Sequence, residues 1–398
     1  MRWTSAISQA PDLVQAVQEA ASAIRAELGP SDPNLILLFV SEHHREGFGK
    51  VSALVGSEFG SSLVFGCTAR SVIGGGREVE HGPGLSLTAA ILPGVSLHPF
   101  HFEMDSLPDG PEARQAWEKR FGPDSEPHFL LLSDPFSFDV EPFMRGLAEG
   151  FPHSRAFGGL ASSGTALGDN AFFIGSEVHR QGLSGLAFSG NIEIETLVAP
   201  GCRPIGTPLF VTRAQDNILC ELDGKPALDV LRELYASLDQ EDRNLARGSL
   251  FLGLEMKGDQ PSYRQGDFLI RNLLGSDEAT GGLVIGGVAR DRQVVQFHLR
   301  DAESSSRDLE DRLSWLARLD PRGWEGALLF SCLGRGAALF GCQDHDSALF
   351  QQYLGPISLG GFFGNGEIGP VGGATFLHGY TSAFALFRGR KATGAEPR

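Results

Sequence analysis

Residues 35–76 read LILLFVSEHHREGFGKVSALVGSEFGSSLVFGCTARSVIGGG, and the order of patterns in this stretch decides the fold. The first six residues are an unbroken apolar run, as expected of a strand buried on both faces. A polar loop, SEHHREG, follows. Phe48, Val51, Leu54, Val55 and Phe59 then recur at helical spacing. Residues 63–67 (LVFGC) return to strand, broken by a glycine. A Gly-rich loop runs through Gly76, and an apolar strand at 85–92 is closed by Pro93-Gly94. The unit is strand, helix, Gly-broken strand, strand.

Working outward, the same order returns. Residues 129–132 (FLLL), a short helix at 140–147, AFGGLASSG at 156–164 and strands at 172–174 and 183–188 make a second copy. Near the other end, ALLF at 327–330, a helix at 347–354, ISLGGFFGNGEIG at 357–369 and a strand at 382–387 make another. A less regular copy spans 250–299, with GLVIGGV at 282–288. The expectation is an α/β chain of mixed α+β type, with repeated strand-helix-strand-strand units forming two packed α/β halves. Ahead of the first unit, Leu13, Val14, Val17, Ala21, Ile24 and Leu28 predict a helix, with Pro11 in its first turn and Gly29-Pro30 as its stop. APGCRPIGTP at 199–208 reads as a boundary. The expected segments are 1–32, 33–199, 200–388 and a flexible tail, 389–398.

The 398 residues carry a formal charge of −16, which speaks against nucleic acid and against an anionic membrane surface. No apolar run is long enough for a membrane helix, and nothing near the N-terminus reads as a secretory leader, so a cytoplasmic location is expected. The five cysteines form no CxxC pair and suggest reduced thiols. The 52 glycines are roughly twice ordinary usage and cluster inside apolar segments, where glycine marks a bulge or a close backbone approach.

Gly74-Gly75-Gly76, followed by Arg77 and Glu78, is a dense polar knot. Successive glycine amides can converge on a carboxylate or phosphate, with Arg70 and Arg77 pairing the same group; the alternative is a bulge with a surface ion pair. Asn365 and Glu367, in GNGEIG, are candidates for a ligand amine, with Asn365-Gly366 also a hairpin-turn signal. Ser162 and Ser163 can bond a ligand or their own backbone. Arg290 and Asn170 are further candidates. Cys67 lacks a base fixed near it, His81 being close only in sequence, and a buried structural thiol is the simpler reading. His43-His44 reads as a solvated loop. No catalytic residue and no metal site is assigned, and the chain is expected not to be an enzyme.

Several of these stretches resemble the FIST family. They are FGCTARSVIGGGREVE (65–80), SGLAFSG (184–190), RPIGTPLFVTRAQDNILCELDGKPALDVL (203–231), LGGFFGNGEIGPVGG (359–373) and HGYTSAFALF (378–387). The resemblance implies an N-terminal FIST domain at 33–199 and a FIST C-terminal domain at 200–388. It also implies a sensory module for a small ligand, amino acids having been proposed for the family. Other members are similar haem proteins that sense nitric oxide, which would make His43, His44, His81 or His378 an axial ligand. A eukaryotic branch carries an F-box and acts as a substrate receptor, so a protein-interaction scaffold is the rival expectation. With no F-box and no output domain visible, signalling through a separate partner protein is expected.

Overall fold

The computed structural model describes residues 1–106, 119–121, 126–258, 260–277, 280–319 and 323–390. The chain opens with a strand the sequence reading did not anticipate, β1 (Arg2–Ser8), which buries Trp3 and Ala6. Helix α1 (Leu13–Leu28) follows. Its N-cap is Asp12, whose side chain accepts from Gln15 N at 2.9 Å, and it stops at Gly29 with φ 69°. Next come β2 (Leu35–Ser41), a 3-10 turn (Glu42–Gly47), α2 (Val51–Phe59), β3 (Leu63–Ala69), the hairpin β4 (Ser71–Gly74) and β5 (Arg77–Val79), and β6 (Leu85–Ile91). A second series contains β7 (Val95–Phe102), β8 (His128–Ser133), α3 (Val140–Gly150), β9 (Ala156–Leu160), β10 (Phe172–Ile174), β11 (Glu177–His179) and β12 (Leu183–Gly190).

A third series starts with β13 (Glu193–Ala199) and is interrupted. The interruption contains β14 (Arg203–Gln215), β15 (Ile218–Leu222), β16 (Lys225–Pro226), α4 (Ala227–Ser237), α5 (Gln240–Ser249), β17 (Leu250–Glu255), β18 (Phe268–Asp277), β19 (Gly282–Ile285) and β20 (Val294–Leu299). Helix α6 (Ala302–Leu319) then leads to β21 (Gly326–Cys332), α7 (Ala337–Phe340), α8 (His345–Leu354), β22 (Ser358–Gly364), the hairpin β23 (Glu367–Val371) and β24 (Ala374–His378), and β25 (Ser382–Arg388). Two compact units result. The first holds residues 1–198, 313–377 and 382–398, and the second holds 199–312 and 378–381.

The first unit has three six-stranded sheets, ordered β1-β6-β2-β3-β10-β11, β7-β12-β8-β9-β23-β24 and β13-β25-β21-β22-β4-β5. Each follows one plan. An edge strand pairs with a closing strand, which lies antiparallel to the first member of a parallel pair: β2 with β3, β8 with β9, β21 with β22. The last two places go to a hairpin donated by another series. The hairpin after β3 pairs with β22, that after β22 pairs with β9, and that after β9 pairs with β3. The exchange is cyclic, so each sheet needs a neighbour to be complete.

Every residue of β2 is buried, because both faces are covered. Leu35, Leu37 and Phe39 face a core shared by all three sheets, with Phe65, Leu130, Phe157, Phe330, Phe362 and Phe387. Ile36, Leu38 and Val40 face the other way and pack with residues of α1 and α2. Phe362 lies 5.0 Å from Phe39 and 5.4 Å from Phe330, and Trp3 stacks on Phe387 at 4.6 Å, so aromatic rings bind the sheets together.

The glycines inside the paired strands have a definite reason. A methyl group on Gly66, Gly158 or Gly361 would lie 1.8, 1.9 and 1.8 Å from the carbonyl oxygen of Leu38, Leu131 and Leu329 respectively. These are the residues opposite each glycine on the parallel partner. The close approach expected at these glycines is therefore that of a neighbouring strand.

The second unit differs from the expected fourth copy. Its sheet, β14-β20-β17-β18-β19-β15-β16, has only antiparallel pairings among the described strands, and β14 also pairs with β15. A register shift between Ile205 and Leu209 lets β14 serve both β20 and β15, giving a barrel-like closure around Leu219, Leu252, Leu283, Val295 and Phe297. With no parallel pair, nothing there corresponds to the strand-helix-strand unit. The chain as a whole is mixed α+β. Residues 391–398 of the expected tail lie outside the described residues.

Candidate functional site

Four residues beyond Gly66, Gly158 and Gly361 stand Arg70, Ser162 and Asn365. Each leaves the C-terminal end of the second strand of a parallel pair, where open α/β sheets present ligands. The three exits meet. Ser162 Oγ accepts from Arg70 N at 3.0 Å and donates to the carbonyl of Phe363. Asn365 N donates to Leu160 O at 3.2 Å, and Asn365 Nδ2 approaches Ala161 O at 3.4 Å. Arg70 and Asn365 are exposed, and the Arg70 guanidinium has no hydrogen-bond or ion-pair partner among the described residues. Ser162 is buried, its hydroxyl committed to backbone groups.

A buried polar network holds this junction from below. Ser163 Oγ lies 2.7 Å from Thr68 Oγ1 and 3.0 Å from Asn170 Oδ1. Asn170 Nδ2 donates to Asp134 Oδ1 at 2.9 Å, and Ala171 N donates to Thr68 Oγ1 at 2.9 Å. Thr68 and Asp134 escaped the sequence reading. The only available signal was a polar residue directly after an apolar run, which is common at strand ends. Arg45 pairs with Asp169 at 3.0 Å and fastens the same 161–171 loop at the surface.

The remaining candidates are dispersed. Gly75 and Gly76, with φ of 57° and 74°, are the two-residue turn of the β4–β5 hairpin, with Gly74 paired to Arg77. Gly75 N donates to Ser5 Oγ at 3.2 Å. Arg77 is exposed and donates to Gln9 Oε1 at 3.2 Å. Glu78 is buried and accepts from Ser347 N and Oγ, both at 2.8 Å. Being neighbours on a strand, Arg77 and Glu78 face opposite ways and make no ion pair with each other. Neither Asn365 nor Gly366 has a positive φ, and they join β22 to β23 in another sheet, so they are a crossing between sheets and not a hairpin turn. Glu367 is fully buried on β23 and is not presented to solvent beside Asn365. Arg290 lies in the second unit, its N–H donating to Gln293 Oε1 at 3.0 Å.

Cys67 sits in the shared core, and burial pushes its thiol well up, so it supplies no thiolate at neutral pH. His44 is buried, and burial followed by His43 lowers its pKa. Among the described residues no group of three His, Cys, Asp or Glu could hold a metal ion. No helix there is long and apolar enough to cross a membrane.

The second unit contains an open cleft of about 710 Å³ lined by Arg203, Asp239, Glu241, Asp242, Asp301 and Arg307, among others. Its aspartates are already engaged. Asp239 and Asp301 accept from Asp242 N and Ser304 N at 2.8 and 2.7 Å, and Arg203 bridges Asp242 and Asp301. None of the residues lining it is a His, Cys, Met or Tyr, the side chains that serve as axial ligands to haem.

Three mixed sheets in one unit and a barrel-like sheet in the other define a two-unit α+β protein. The chain matches the FIST N domain over residues 34–225 and the FIST C domain over 227–370, and it belongs to the FIST family. FIST domains are associated with sensing and signal transduction. Over 387 residues the chain is 36% identical to an uncharacterized protein of Mycobacterium tuberculosis, covering 97% of this chain and 100% of that one. An uncharacterized protein of Mycobacterium bovis is 34% identical over 387 residues, covering 97% of this chain and 99% of that one.

Proposed function

We propose that this protein is a sensory module, and not an enzyme, that binds an amino acid or a similar small acid at the junction of Arg70, Ser162 and Asn365. The observation that carries the reading is the meeting of three strand exits, one of which carries the exposed Arg70, whose guanidinium is unpaired among the described residues. An exposed, unpaired arginine is suited to a carboxylate, which it can grip with two parallel hydrogen bonds. Asn365, at the neighbouring exit, would offer a second polar group. The fixed network of Ser163, Thr68, Asn170 and Asp134 keeps the floor from rearranging, which favours binding over chemistry. The module acts in the cytoplasm through a separate partner protein.

The test is thermal unfolding against a panel of amino acids and small carboxylic acids at saturating concentration. One member should raise Tm by several degrees, since ligand at about 100 times Kd stabilises by about 2.7 kcal/mol. Arg70→Ala should keep the ligand-free Tm and lose that shift. A panel without any stabiliser, or a shift that survives Arg70→Ala, would sink the reading.

A further inference from the structure

The layer between β21, β25 and α8 is polar where the other two sheets bury more apolar groups. The cross-strand pair Val40–Leu85 of the first series corresponds to Ser133–Leu183 in the second and Ser331–Ser382 in the third. Both Ser331 and Ser382 donate to the fully buried carboxylate of Asp346. Arg335 grips that carboxylate with Nε at 2.8 Å and Nη2 at 2.9 Å, and His345 Nδ1 lies 2.9 Å away. Burial opposes the charge on Asp346, but Arg335, His345 and Ser382 outweigh it and hold the carboxyl below the usual range.

Into this layer the β4–β5 hairpin inserts a second buried carboxyl, Glu78. Its Oε1 takes the N–H and hydroxyl of Ser347 in the first turn of α8. Its Oε2 is buried without a partner. Just past the end of β5, Glu80 takes Ala337 N at 2.9 and 3.0 Å. Asp344 Oδ1 accepts from Glu78 N. The groups facing Glu78 are thus Asp344, His345 and Asp346 from the start of α8 and Arg335 from the loop after β21, with Arg77 and Glu80 on its own hairpin. Arg335 is already committed to Asp346, so a charged Glu78 would have no cation of its own.

We propose that the β4–β5 hairpin is a proton-controlled latch: with Glu78 protonated it stays docked on the first turn of α8, and a charge on Glu78, buried beside Asp346 and Asp344, releases it. The proton goes to solvent. Burial, then the charge of Asp346, pushes the Glu78 carboxyl up to about 8 against the two hydrogen bonds from Ser347, which favour the charge, so the change falls near neutral pH. The released strand begins directly after Arg70, and the latch stands whether or not a ligand binds there. The sign follows from linkage. A carboxyl raised from 4.5 stabilises the fold fully below about 4.5, and this contribution is lost as pH rises to about 8.

Amide exchange of the full chain, corrected for the intrinsic rate, tests the latch between pH 6.5 and 9. Protection of residues 71–80 and 345–350 should fall about thirtyfold across this range in the wild type. It should stay flat in Glu78→Gln, which keeps the shape of the protonated acid. A flat wild type, or an equal fall in Glu78→Gln, overturns the proposal. Should the variant fail to fold, a carbon-13 carboxyl titration of the wild type decides: a buried glutamate titrating near 8 supports the latch, and its absence overturns it.

Discussion

Gly66 shows how little room the parallel pairs leave. Its φ is ordinary, so any objection to a side chain there is purely steric: a methyl group would fall 1.8 Å from the Leu38 carbonyl oxygen, a backbone atom that cannot swing aside. Gly66→Ala should therefore destabilise by at least about 2 kcal/mol, the usual scale of overpacking. Gly361→Ala should cost more, since φ of 147° adds backbone strain to the same collision. Gly56, inside α2 with nothing within 4 Å, is the control; Gly56→Ala should stabilise by about 1 kcal/mol. Denaturant midpoints of the three variants check this order. The unusual glycine content was legible as a sign of close backbone approach. What approached was not, because the opposing carbonyl belongs to a strand whose pairing is set by the whole sheet. The candidate site was legible in the same partial way. Arg70, Ser162 and Asn365 could be picked out as polar residues after Gly-broken strands. Their meeting, and the removal of Arg77, Glu78 and Arg290 from it, depends on which sheets the intervening strands join.

At the scale of elements, local signals worked where local physics rules. The helix predicted from Leu13 to Leu28 is present over that span, stopped by Gly29. Its N-cap is Asp12, and Pro11 lies one residue before the cap, outside the first turn. Asp12→Ala removes the acceptor of Gln15 N and should cost about 1 kcal/mol, measured as a lower unfolding midpoint at pH 7. The hairpins illustrate the opposite case. GGG at 74–76 announces a turn, but nothing nearby says that β4 pairs with β22, nearly 300 residues away. Such pairings are settled by core packing across sheets, and periodicity along one strand carries no trace of them. Strand β1 went unread for the same reason: RWTSAIS alternates weakly, and it is an edge strand completed by β6.

On the scale of the whole molecule, repetition was legible and its count was not. Three series share one plan, while the apolar strands at 250–299 belong to a sheet of another kind. Periodicity alone does not separate parallel from antiparallel strands when both are buried. The topology makes residues 199–312 an insertion between the first strand and first helix of the third series. Its two ends lie side by side, because Ser305 Oγ donates to Gly201 O and Gly201 N reaches Asp308 Oδ2 at 3.5 Å. A chain in which residues 202–303 are replaced by two glycines therefore bridges a gap already spanned by hydrogen bonds. It keeps all three sheets and their shared core, including the stack of Trp3 on Phe387. It should unfold in one cooperative step. All four tryptophans lie outside the excised stretch, so their fluorescence compares the same reporters in both proteins. It should also keep the ligand-induced rise in Tm, since Arg70, Ser162 and Asn365 all belong to the first unit. Red-shifted emission with no cooperative transition would show that the first unit cannot fold without the insertion. A folded core that has lost the ligand response would move the binding residues into the second unit.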